Sequence, residues 1–180
     1  ADAGRVFLGD EEITRIPVYR RARLGLGYLA QDPSIFRRLS VRENLLAILE
    51  LMPMRRAERW RRADELIEQL DLGTVADNAG SNLSGGERRR AEIARTLTTS
   101  PTHVLFDEPF AGVDPIAVAE IQRIIAQLKE QGIGVLITDH NVRETLGICD
   151  RAYLIDRGTI FLEGTPETIV RDQRAREVYL

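Results

Sequence analysis

The chain has 180 residues, 43% hydrophobic and 29% charged, with a formal net charge of −3. That suffices for one substantial core, and it supplies no basic field to draw in a nucleic-acid backbone, so no direct nucleic-acid partner is expected. The lone Cys149 has no internal disulfide partner, nothing at the N-terminus resembles a secretory leader, and the longest apolar runs (Leu45–Leu49, Val135–Ile137) fall far short of the ~20 residues that cross a bilayer; the expected location is cytoplasmic, with any membrane contact made through a partner.

In chain order, Arg5 to Leu8 reads as a short strand, Gly9-Asp10 as a turn and Glu12–Thr14 as a second edge. A short helix follows over Arg20–Arg23, then a strand over Gly25–Leu29. From Leu39 to Leu72 the spacing turns helical, with Leu45, Leu46 and Leu49, then Leu66, Ile67 and Leu70, three and four residues apart. This predicts a helical subdomain over about 33–82, inserted into a sheet protein. Within it, the charged run Arg55 to Glu68 reads as a solvated helix face, with Glu58 four residues before Arg62 and Arg61 four before Glu65.

Asn82 to Ser100 predicts a turn and a helix that ends before Pro101. Beyond it the chain alternates: strand His103–Phe106, helix Pro115–Glu130, strand Gly134–Thr138, helix Asn141–Leu146 closed by Gly147, and strands Ala152–Ile155 and Thr159–Leu162. Short continuous apolar runs separated by helices predict parallel strands covered on both faces, an α/β architecture.

Two stretches carry chemistry. Val104-Leu105-Phe106 buries a strand, and Asp107 and Glu108 arrive together where it emerges, at the end of the sheet where ligands of doubly wound folds sit. One carboxylate there can hold Mg²⁺ while its neighbour polarises a water; the same pair could instead cap a helix. Leu83-Ser84-Gly85-Gly86-Glu87 opens the helix that carries Arg88, Arg89 and Arg90. Serine caps such a helix, and the glycines let a phosphate approach free amides at its positive end; an ordinary Ser-Gly-Gly turn remains the alternative.

The pentapeptide Leu83–Glu87 resembles the signature motif of ABC transporter ATP-binding subunits, and Asp107-Glu108 resembles their Walker B strand end. In the family's order, Gln31 resembles the Q-loop glutamine, Ala111-Gly112-Val113-Asp114 the D-loop, and His140 in Thr138-Asp139-His140 the switch histidine; His140 could otherwise be a structural histidine, which is how His103 is read. The resemblance implies a P-loop NTPase-like cassette, a mostly parallel sheet flanked by helices, spanning 1–180 as a partial domain with a RecA-like core outside the helical subdomain. It also implies a head-to-tail homodimer with ATP between the subunits. Leu83, Ser84, Gly85, Gly86, Glu87, Gln31 and Asp114 would bind nucleotide, Asp107 and Gln31 would bind Mg²⁺, Glu108 would be the general base, and His140 would contact the γ-phosphate.

Gly27 to Gln31, Ser34 to Ser40, Leu83 to Arg90, Asp107 to Pro115 and Val135 to Leu146 together are most similar to the lipopolysaccharide-export branch of that family, with Ala30 standing where proline is frequent. In that branch Phe36 and Arg37 would receive coupling helices of transmembrane permease subunits at the inner membrane; Phe36 as ordinary core is the alternative. A branched-chain amino-acid importer cassette and a soluble ABC ATPase acting on ribosomes or DNA are the competing assignments. The only lysine, Lys129, precedes Glu130, so these residues contain no G-x-x-x-x-G-K-[ST] phosphate loop. The expectation is that the family's loop lies upstream of Ala1, that the 180 residues alone hydrolyse no ATP, and that one side of the sheet stands open.

Overall fold

The computed structural model describes residues 3–179; Ala1, Asp2 and Leu180 lie outside the described residues. A short antiparallel pair, β1 (Phe7–Leu8) and β2 (Glu11–Glu12), leads into α1 (Val18–Arg23), which starts directly after Pro17. β3 (Leu26–Leu29) follows. The helical stretch divides into α2 (Val41–Leu49) and α3 (Arg56–Gln69), because Pro53 in the linker cannot continue a helix. Each opens with a glutamate reaching back to a backbone amide: Glu43 to Ser40 at 2.7 Å and Glu58 to Arg55 at 2.8 Å. Glu58 is thus spent on capping, and Arg62 pairs with Glu65 (3.4 Å) instead of with the expected Glu58.

The chain then runs α4 (Gly85–Leu97), β4 (His103–Asp107), α5 (Pro115–Glu130), β5 (Gly134–Thr138) and α6 (Val142–Leu146). β3, β4 and β5 form a parallel three-stranded sheet in that order, with Leu29, Phe106 and Ile137 in one row of the register. Alternation along the strands turns Leu29, Val104 and Phe106 into the core, where all three are essentially inaccessible, among side chains of α4 and α5. Gly27 lets α4 press close: a Cβ there would lie 2.9 Å from the Thr96 methyl. The opposite face carries the row Tyr28, Leu105, Leu136, of which Tyr28 is 54% and Leu136 58% exposed. One side of the sheet is open, as expected, so its strands are not covered on both faces.

The last strands depart from expectation more clearly. β6 (Ala152–Asp156) and β7 (Thr159–Gly164) pair with each other, antiparallel, and do not extend the parallel sheet. Their connection is only Arg157-Gly158, both at positive φ (48° and 78°), the requirement of a tight two-residue hairpin turn; a parallel crossover needs a far longer link. Two unanticipated helices, α7 (Pro166–Arg171) and α8 (Gln173–Tyr179), follow, and Leu146, Leu154, Ile169 and Ala175 make a small separate core. Thr165 before Pro166 is a start signal that could have been read for α7: the threonine accepts from the Thr168 amide at 3.4 Å. Among the described residues no helix is long and apolar enough to cross a membrane.

Candidate functional site

Parallel register brings three chain segments to one edge. Gln31 lies two residues beyond β3, Asp107 ends β4 with Glu108 next, and His140 lies two residues beyond β5. On that edge Glu108 Oε2 accepts from Gln31 Nε2 at 3.0 Å and faces His140 Nδ1 at 3.4 Å. The Glu108 side chain is 29% exposed and the His140 ring 74%, so both remain within reach of solvent or a ligand. Asp107 is held from two sides: Thr138 Oγ1 donates to one carboxylate oxygen at 2.7 Å, Tyr28 Oη to the other at 3.0 Å. The bond to Asp107 is the main reason the Tyr28 phenol titrates above its ordinary range, with partial burial and the aspartate charge adding to it.

Neither acid caps a helix, so that alternative falls; Asp114 caps α5 instead, accepting from the amides of Ile116 (3.0 Å) and Ala117 (3.1 Å). Glu108 sits at φ +45°, a left-handed conformation unusual for a side-chain-bearing residue, and its amide donates to Thr138 O at 2.8 Å. Asp139, which follows β5, accepts from the amides of Phe110 (3.3 Å) and Asn141 (2.8 Å), tying the loop after β4 to the His140 turn.

The start of α4 is built differently. Ser84 Oγ accepts from the Glu87 amide at 3.3 Å and Glu87 Oε2 accepts from the Ser84 amide at 2.8 Å, a reciprocal cap that keeps the Glu87 carboxyl below its ordinary range. Leu83 is buried and anchors the turn. The amides of Gly85 and Gly86 belong to the first turn, where no helical partner exists. The two glycines differ: a Cβ on Gly85 would meet only Gly112 O at 3.6 Å, whereas one on Gly86 would strike the Ala117 Cβ at 2.6 Å. Gly86 is therefore demanded by the packing of α4 on α5, whatever else it does.

Phe36 is 47% exposed, so it is not core, and its ring lies beneath the Arg95 guanidinium at 5.1 Å. Arg37 beside it is exposed. Asn44, fully buried in α2, fixes this segment by accepting from the Phe36 amide (2.8 Å) and donating to the carbonyls of Phe36 (3.1 Å) and Ser40 (2.9 Å). The roles of Asn44, Tyr28, Thr138, Asp139, Arg89 and Glu92 are not legible in the sequence. Each acts through a hydrogen bond to a residue distant in sequence or to backbone, which leaves no local pattern to read.

The ABC transporter family profile matches residues 1–111, and the chain belongs to that family of ATP-hydrolysing cassettes. Among its curated relatives is the lipopolysaccharide export system ATP-binding protein LptB of Acidithiobacillus ferridurans, 55% identical over 179 residues, covering 99% of this chain and 74% of the relative. The LptB of Escherichia coli strain K12 is 52% identical over 180 residues, with 99% and 75% covered. In structure the chain is similar to MJ1267, an ATP-binding cassette of an ABC transporter, at a TM-score of 0.89 and 29% identity, covering 99% of this chain and 78% of that one.

Proposed function

We propose that this chain powers lipopolysaccharide export by hydrolysing ATP beneath membrane-embedded permease subunits, as one of two copies in a homodimer at the cytoplasmic face of the inner membrane. The observation that carries the export assignment is identity of 52–55% to relatives named LptB across 99% of the chain. The one that carries the chemistry is the meeting of Gln31 and His140 on a single oxygen of Glu108.

In this reading Glu108 takes the proton of the attacking water as the water oxygen bonds to the γ-phosphorus and the bond to the departing ADP oxygen breaks. His140 and Gln31 orient that carboxylate and contact the γ-phosphate, so catalysis is positioning and charge stabilisation. Asp107 and the free Gln31 amide oxygen suit Mg²⁺, which keeps several waters and takes only one or two protein ligands beside phosphate oxygens. No group of three or more His, Cys, Asp or Glu forms a metal cage among the described residues, and this ion needs none. When bound, Mg²⁺ neutralises charge on the phosphates.

Ser84, Gly85 and Gly86 of one copy would grip the γ-phosphate of ATP held by the other, with Leu83 and Glu87 fixing the turn and Asp114 alongside. Phe36 and Arg37 would receive the permease coupling helices; an exposed aromatic beside a cation suits a docking pocket. Residues 33–82 form the helical subdomain of this cassette. The 180 residues by themselves hold no P-loop lysine, and expressed alone they should hydrolyse no ATP.

The test is reconstitution of the complete gene product with lipopolysaccharide-exporting membrane subunits in vesicles. ATP-dependent extraction of lipopolysaccharide, lost with Glu108→Gln, is expected. Hydrolysis without extraction, together with ATP-driven uptake when paired with amino-acid importer subunits, would reverse the assignment.

A further inference from the structure

The middle of α4 holds two charged residues that the hydrolytic mechanism does not use. Arg89 and Glu92 form an ion pair at 3.3 Å with side chains only 7% and 3% exposed. Such a pair costs desolvation, and it persists where additional hydrogen bonds complete it. Here they do. A guanidinium has five N–H donors, and all those of Arg89 are occupied. Nε donates to Pro109 O (3.2 Å), Nη1 to Ala30 O (2.9 Å) and Glu92 Oε2, and Nη2 to the carbonyls of Asp107 (3.0 Å) and Glu108 (2.9 Å). One side chain therefore holds the backbone of both strand-end acids and of the residue before Gln31. The carbonyl of Glu108 belongs to the residue in left-handed conformation, and a conformation of that kind persists only when its surroundings over-determine it.

Glu92 carries the connection onward. Its Oε1 accepts from the amides of Ser34 (2.7 Å) and Ile35 (3.3 Å), the two residues before Phe36. Arg95, three residues further along α4, donates to Ser34 O (2.6 Å) and Ser34 Oγ (2.5 Å) and covers the Phe36 ring. Arg89, Glu92 and Arg95 thus recur every three residues on one side of a helix. They run from the carboxylate edge to the exposed Phe36 segment.

We propose that Arg89 and Glu92 are positioning residues, a buried ion pair that sets the backbone of Asp107 and Glu108 and ties it to the Ser34–Phe36 segment. A movement of Phe36 is thereby felt at the attacking-water carboxylate, and the reverse. The inference rests on the hydrolytic role proposed for Glu108.

The test measures steady-state ATPase of the complete gene product with its membrane subunits. Three variants are compared: Arg89→Lys, which keeps the charge but loses the fork; Glu92→Gln, which keeps an acceptor for the Ser34 and Ile35 amides but removes the charge; and Glu108→Gln as control. Arg89→Lys should lower kcat on the order of 100-fold, the effect of misplacing a reacting group by about 1 Å, with KM for ATP unchanged. Glu92→Gln removes the counter-charge of Arg89, so it should lower the ATPase of the cassette without membrane subunits as well, and it should reduce the change that those subunits bring by a still larger factor. Unchanged kcat in Arg89→Lys, or normal response to the membrane subunits in Glu92→Gln, overturns the inference while a dead Glu108→Gln leaves the hydrolytic reading standing. Loss of kcat in step with loss of Tm in both variants assigns the pair to folding alone and also overturns it. An active Glu108→Gln sinks the hydrolytic reading itself.

Discussion

The two motif-bearing regions of this cassette solve opposite problems. At the strand ends, side chains are tied to one another and left partly open: Gln31 and His140 share a Glu108 oxygen, Tyr28 and Thr138 share Asp107, and Glu108 keeps a strained backbone. At the start of α4 the polar side chains are consumed by the helix itself, Ser84 and Glu87 capping each other, while glycines keep backbone and packing space free. In the first region residue identity supplies chemistry; in the second it supplies shape. Substitutions should accordingly damage turnover at the strand ends and folding at the helix start, and four experiments separate the two.

Removing the carboxylate proposed as the general base is the largest. Glu108→Gln in the complete gene product should cut ATP turnover by about 10²–10⁴-fold, the span of general-base contributions, with Tm unchanged. A fall in Tm of several degrees would mean that the carboxylate is structural and would erase the distinction. Gly86→Ala comes next: its methyl would collide with Ala117, and overpacking of this kind costs about 1–3 kcal/mol, read as a lowered denaturant midpoint. Gly85→Ala has room and should leave that midpoint where it is; equal losses at both glycines would remove the packing explanation.

Ser84→Ala should cost ~1 kcal/mol by freeing the Glu87 amide. Acid gives the smallest effect. The capped Glu87 carboxyl titrates below its ordinary range, so its contribution is complete above the unfolded value near ~4.3 and fades as pH falls through the lower folded one. Glu87→Gln should therefore lose stability relative to the parent at neutral pH and converge with it in strong acid, as followed by thermal melts across pH. Parallel curves at all pH values would show that the charge is irrelevant to the cap.

Much of the architecture was legible because its signals are local. Asp114 and Pro115 start α5, Gly134–Thr138 is a bare apolar run, and Pro101 bounds α4 from outside; the α5 and β5 boundaries coincide with expectation. What local signals could not carry is pairing. Ala152–Asp156 and Thr159–Gly164 look like any buried strands, and only the two-residue Arg157-Gly158 link, read as a hairpin, would have separated them from the parallel sheet. The acidic edge was legible as composition, since strand-helix alternation ends three strands where Gln31, Asp107, Glu108 and His140 lie. Arg89 reads in sequence only as one of three arginines in a row, because the five carbonyl and carboxylate oxygens it reaches come from three separate chain segments. Tyr28 reads in sequence as strand filler, since its bond to Asp107 joins sheet neighbours far apart in the chain.

In the proposed homodimer, the Ser84 helix of one copy and the Glu108 edge of the other serve the same ATP. Light scattering of the complete gene product carrying Glu108→Gln, with Mg²⁺ and ATP, tests it directly. The protein should dimerise with ATP, and adding Gly85→Glu, at a position with room for a side chain, should return it to monomer with nucleotide still bound. A Gly85→Glu protein that dimerises as well as its parent would contradict the account.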